Sequence, residues 1–133
     1  MSDEDLRHLL RSAKTIAVVG CSTQPGKPSH EVPRYLIEQG YRVIPVHPSA
    51  REILGERAYA SLADVPGPID LVNVFRPADE APAVVQAAIA RGARAVWLQQ
   101  GISHPDAAAR AREAGLAVVM DQCIMQVHRR LGL

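Results

Sequence analysis

Aromatic side chains make up only 4% of this chain, which leaves little to stack against the bases of a single-stranded nucleic acid. An excess of charge is also missing. Fifteen Lys and Arg stand against 14 Asp and Glu, a net charge of +1, without the clustered basic surplus of nucleic-acid binders. Any anion site must therefore be local. No apolar run reaches the ~20 residues that span a bilayer. The opening, MSDEDLRHLL, is acidic, unlike the basic n-region and apolar core of a secretory signal. There are two cysteines, Cys21 and Cys123, in neither a CxxC nor a zinc-like array, so reduced thiols in a cytoplasmic protein are expected. GxSxG, HExxH and paired metal ligands are absent, and the five histidines are scattered along the chain. No metal site and no catalytic residue is expected from those patterns.

What the sequence does hold is an alternation. Short apolar runs, TIAVV (15–19), RVIPV (42–46), DLVNVF (70–75), RAVWL (94–98) and LAVVM (116–120), are rich in Val and lack a strict polar alternation. Strands buried on both faces read this way. Between them lie helical patterns. Ser2 and Asp5 resemble a capping box ahead of Leu6, Leu9 and Leu10. A second helix starts near Ser29 and stops at Gly40, with Pro33 leaving its first turn undefined. A third runs from about Asp79 to Arg91, and a fourth begins at Ser103 or His104 with Pro105 in its first turn. The last carries Ile124, Val127, His128 and Leu131 on one stripe, where a packed histidine is expected, with Asp121 as its cap. With 133 residues and 47% apolar content, this predicts one doubly wound α/β domain over residues 1–133. Its five-stranded, mainly parallel sheet would carry helices on both faces.

Ligands of such sheets sit beyond the carboxyl ends of the strands, which nominates particular residues. After the first run, Gly20 permits a sharp turn, Cys21 and Ser22 follow, and Lys27 adds a cation. Free N–H groups before a helix there suit a phosphate, although an ordinary connection shaped by Pro and Gly would look similar. The loop matches neither GxGxxG nor a Walker motif. The second strand end supplies Val46, His47 and Pro48, where an NAD site would place an acid for the ribose. Phe75 and Arg76 close the third strand, with Arg76 able to stack or make a two-pronged contact. Gln99, Gly101 and Ile102 follow the fourth, where glycine permits close approach. Cys123 falls in the first turn of the last helix, a place that favours thiolates, but a buried inert thiol is the expected reading.

Taken in order, TIAVVGCSTQPGKPS, YLIEQGYRVIPVHP, LVNVFRP, VWLQQGI and VVMDQCIMQVHRRL resemble the small stand-alone CoA-binding proteins. Those are similar to the CoA-binding domain of succinyl-CoA synthetase and of the NDP-forming acyl-CoA synthetases. The resemblance covers the whole chain and implies a Rossmann-like fold with coenzyme A as cofactor. It implies that Gly20, Ser22 and Lys27 bind phosphate, with His47 and Pro48 near the adenosine. Phe75, Arg76, Gln99, Gly101 and Ile102 would line the remaining path. The family usually has Asn at the position of His47, and Asp-Arg-Cys where this chain has Asp121-Gln122-Cys123. The larger relatives ligate through a phosphohistidine domain and an ATP-grasp unit that a chain ending at Leu133 does not contain. The expectation is therefore CoA or short acyl-CoA binding without catalysis. Two alternatives stay open: a small NADP-dependent oxidoreductase, and a CoA-binding subunit acting in trans with a separate ligase.

Overall fold

The computed structural model describes all residues, Met1–Leu133. Helix α1 (Asp3–Ser12) leads into strand β1 (Thr15–Val19), helix α2 (Pro28–Glu38) and strand β2 (Arg42–Val46). A two-residue hairpin follows, β3 (Glu52–Ile53) and β4 (Glu56–Arg57), and then β5 (Leu71–Val74) and α3 (Ala81–Ala90). Strand β6 (Ala95–Leu98), helix α4 (Pro105–Glu113), strand β7 (Ala117–Val119) and helix α5 (Ile124–Arg130) complete the chain. Five strands form one sheet in the order β2-β1-β5-β6-β7, and every pairing is parallel. The expected fold class is the observed one, with the strand ends within a residue of their expected positions. No helix is long and apolar enough to cross a membrane.

The apolar runs lack polar alternation because both faces of the sheet are covered. Ile16, Val18, Leu71 and Trp97 pack against Leu6, Leu36 and Ile124 on the side of α1, α2 and α5. Ala17, Val72, Val96 and Leu98 pack against Val85, Ala88 and Ala111 on the side of α3 and α4. Trp97 is fully buried, and its indole N–H donates to the Gln122 carbonyl at 2.8 Å, so the one polar atom of a large core side chain is satisfied. The capping box at Ser2 and Asp5 forms in both directions, at 3.1 Å each. His104 caps α4, its Nδ1 accepting from the Ala107 N–H at 3.0 Å.

Three features depart from the sequence expectation. The hairpin at residues 52–57 has Leu54 and Gly55 at φ 57° and 77°, and the return segment lays Tyr59 along the edge of β2. The Tyr59 N–H donates to the Pro45 carbonyl, and the His47 N–H donates to the Tyr59 carbonyl at 2.9 Å. Asp121 does not cap α5. It takes φ 59° and accepts from the Gly101 N–H at 2.7 Å, which ties the loop after β7 to the loop after β6. Finally, α2 begins at Pro28, a residue before the expected Ser29, and contains Pro33 in its interior. Pro33 has no N–H to give the carbonyl four residues back, and that carbonyl, Ser29, accepts from Ser22 in the loop instead, at 2.9 Å.

Replacing Pro33 with Ala should restore a helical donor that competes with Ser22 for the Ser29 carbonyl. The expected result is faster hydrogen exchange at the Ser22 amide while the folded core persists. Unchanged protection there would show that the freed carbonyl does not hold the loop.

Candidate functional site

In strand order β1 lies between β2 and β5. The chain leaves β1 toward one edge and returns to build the other, so the loops after β1 and β5 diverge and leave a crevice. A cavity of about 590 Å³ occupies it. Gly20, Cys21, Ser22 and Lys27 from the first loop meet Val46, His47 and Pro48 there, together with Phe75 and Arg76. A second cavity of about 420 Å³ lies on the other side of Phe75 and takes in Gln99 and Ile102. Gly101 lines neither, and its N–H is held by Asp121. A larger hollow of about 700 Å³ sits beside Lys14, Thr15 and Arg42. It lies at the amino ends of the strands, where parallel sheets do not hold ligands, so the carboxyl-end crevice is the candidate site.

The first loop is shaped at both ends. Gly20 takes φ +87°, and a Cβ there would come within 2.9 Å of Arg76 Cδ and 3.0 Å of the Phe75 carbonyl oxygen. Only glycine lets β1 end this close to β5. Ser22 Oγ accepts from the Gln24 N–H at 3.0 Å, which leaves its hydroxyl hydrogen free to donate. Glu31 anchors the far side. Its Oε2 accepts from the Gly26 N–H at 3.2 Å and meets His30 Nδ1 at 3.0 Å, while Arg34 donates to Oε1 at 2.6 Å. The His30 contact, with the Gly26 N–H next, lowers the Glu31 carboxyl to about 2. The N–H groups of Cys21, Thr23 and Ser29 have no partner in the protein, and an anion is what such unspent donors accept.

At the end of β2, His47 is used in a way its type did not announce. Its Nδ1 accepts from the N–H groups of Ser49 and Ala50 at 3.1 and 2.9 Å. Backbone N–H groups only donate, so Nδ1 is unprotonated and the neutral ring carries its hydrogen on Nε2. The ring thus forms the kind of turn an Asn side chain makes. Arg76 is also engaged. It makes a two-pronged bond to Glu80, Nε to Oε1 at 3.1 Å and an Nη to Oε2 at 2.8 Å, and that bond draws the Glu80 carboxyl below its usual range. Lys27 has no carboxylate partner. Burial pushes the Cys21 thiol up to about 12, and Cys123 is 8% exposed, so both behave as packed thiols. His128 is packed as expected, 4% exposed, with Nδ1 2.6 Å from the Tyr35 hydroxyl.

Sequence reasoning missed Glu31 and Glu80. Glu80 follows Arg76 by four residues at a helix start, a spacing that signals such a pair. Nothing local announces the link from Glu31 back to Gly26.

The crevice, the turned loop after β1 and the parallel sheet define the class as a Rossmann-like α/β domain with its site at the switch point. The chain belongs to the CoA binding domain family, whose model matches residues 14–129. It is 39% identical over 127 residues to the protein YneT of Bacillus subtilis (strain 168), covering 96% of this chain and 94% of that one. A solved structure of a Thermus thermophilus protein superposes with a TM-score of 0.94 at 47% identity, covering 98% and 99% of the two chains. The ADP-forming acetate–CoA ligase II of Archaeoglobus fulgidus is 33% identical over 103 residues. That match takes in 75% of this chain but only 15% of the ligase.

Two outcomes test this geometry. Gly20→Ala should destabilise by more than Gly101→Ala, because both have φ +87° but only the Cβ at 20 meets neighbours. The shared left-handed penalty is about 1–2 kcal/mol, so the excess at 20, read from urea midpoints, measures the close approach to β5. For Glu31, the folded carboxyl is lowered from 4.5 to about 2, so the folded state prefers the charged form. Its contribution is complete above pH 4.5 and is lost as pH falls toward 2. An acid titration should show stability dropping across that window, with a shallower drop in Glu31→Gln.

Proposed function

We propose that this protein binds coenzyme A, or a short acyl-CoA, at the crevice and has no catalytic activity of its own. The observation that carries the reading is the donor pattern around the 590 Å³ cavity. Cys21 and Ser29, whose N–H groups are unspent, line it together with Ser22, Lys27 and Arg76, and His47 stands where a dinucleotide site has an acid. Phosphates of CoA meet the first loop, and the adenosine lies toward His47 and Pro48. The pantetheine arm runs past Phe75 toward Gln99. The membership of the CoA binding domain family, and the likeness to part of an acetate–CoA ligase, support this choice of ligand.

Binding without catalysis fits the walls of the cavity. The Cys21 thiol stays protonated at neutral pH, and His47 Nδ1 is already occupied by two N–H donors. No group of three His, Cys, Asp or Glu side chains could hold a metal. A reducing, cytoplasmic setting suits the two free thiols.

Calorimetric titration with CoA, acetyl-CoA, NAD and NADP decides the reading. CoA or acetyl-CoA should bind and the dinucleotides should not; clear binding of NADP with no heat from CoA overturns it. Lys27→Ala should weaken CoA about tenfold at low salt, the scale of one charge-assisted hydrogen bond. The loss should shrink as salt is raised, because Lys27 is exposed.

A further inference from the structure

The second cavity, beyond Phe75, contains one polar group of an unusual kind. Gln99 is 4% exposed, and its side-chain oxygen Oε1 accepts two hydrogen bonds. One comes from the Ile124 N–H at 2.9 Å and the other from Asn73 Nδ2 at 3.0 Å. A backbone N–H can only donate, so the atom facing Ile124 is the oxygen, and the orientation of the amide is forced. Nε2 must then point the other way. It donates to nothing in the protein, and it is not among the sealed polar atoms, which are Asn73 Oδ1 and Arg91 Nε. Gln99 lines the 420 Å³ cavity, so the amide N–H₂ opens into it.

Around that donor stand the apolar side chains of Val32, Phe75, Ile102 and Met125, with Cys123, and the one carboxylate on the wall, Glu31, is already engaged by Gly26, His30 and Arg34. The two other amide side chains on the wall, Gln100 and Gln126, are exposed and face solvent at the rim. A buried amide N–H₂ held in one orientation beside apolar side chains is a donor that a ligand carbonyl oxygen can match. Asn73 is the positioning residue. It is fully buried, and its own carbonyl oxygen is left without a partner while its amide holds Gln99. That is a cost to the fold, and holding the Gln99 amide in place accounts for it.

We propose that this cavity is an acyl site, in which Gln99 Nε2 donates to the thioester carbonyl oxygen of a short acyl-CoA. The protein would then prefer a thioester to free CoA. The proposal rests on the CoA reading above, and it narrows the ligand to a neutral short-chain thioester. No bond is made or broken.

The test compares three ligands on the intact protein: CoA, propionyl-CoA and S-propyl-CoA, a thioether of the same chain length that lacks the carbonyl. Propionyl-CoA should bind about five- to tenfold more tightly than S-propyl-CoA, the scale of one neutral hydrogen bond. Gln99→Met, which removes the donor at similar volume, should erase that gap, weakening propionyl-CoA by more than it weakens S-propyl-CoA or CoA. Gln99→Glu keeps an oxygen toward Ile124 and Asn73 and should erase it as well, with thermal melts showing that each variant is folded. Equal wild-type affinity for thioester and thioether overturns the acyl site while leaving CoA binding intact. An equal loss for all three ligands in the variants also overturns it, because the donor would then serve the pantetheine amides. Failure of all three to bind the wild type removes the CoA reading itself.

Discussion

Everything at the candidate site follows from where β1 sits in the sheet. It pairs with β2 on one side and with β5 on the other, so the chain must leave it in one direction and come back in the opposite one. Two loops that diverge from adjacent strands cannot cover each other, and the polar groups at the ends of those strands open into the gap. The strand ends are nevertheless tied together. Gly20 donates its N–H to the Val46 carbonyl at 3.2 Å, and Phe75 donates to the Val19 carbonyl at 2.8 Å. The crevice is therefore walled by three fixed strand ends, and the only parts free to vary are loops.

Of those loops, the one after β1 is restrained by groups in the first turn of helix α2. A proline in a helix interior normally costs a few kcal/mol, because a carbonyl loses its donor. Here the deserted carbonyl of Ser29 becomes the acceptor for the loop, so the helical defect and the loop restraint are one feature. Glu31, two residues further on, holds Gly26 from the same helix. The loop is thus fastened at two points, while the N–H groups of Cys21, Thr23 and Ser29 keep no partner in the protein.

The fold was legible because it depends on burial. Five apolar runs with no polar alternation describe strands covered on both faces, and the packing of Ile16 on one face and Ala17 on the other is that pattern realised. The residues of the crevice were legible as strand ends. Roles that depend on distant partners were not. Asp121 reads as a cap by its place before a helix, yet a left-handed backbone turns it toward Gly101, 20 residues away. The hairpin at residues 52–57 has none of the Asn-Gly or Asp-Gly signals that mark such turns, and Leu54 adopts a positive φ there all the same. Gln99 could be named as a lining residue, but the direction of its amide is dictated by Ile124, far along the chain.

The pairing of Arg76 with Glu80 has a kinetic meaning. With that guanidinium answered by a carboxylate of the same segment, Lys27 is the one cation lining the crevice without a carboxylate partner, in a protein of net charge +1. Such a site exerts little long-range pull on a polyanion, so encounter proceeds at the ordinary rate for unsteered association. Under the proposed function, selectivity among anions would then reside in how long a ligand stays. For the proposed ligand, a phosphate that took over the two prongs of Arg76 would have to displace Glu80, so the exchange of one carboxylate for one phosphate would set the gain in binding there.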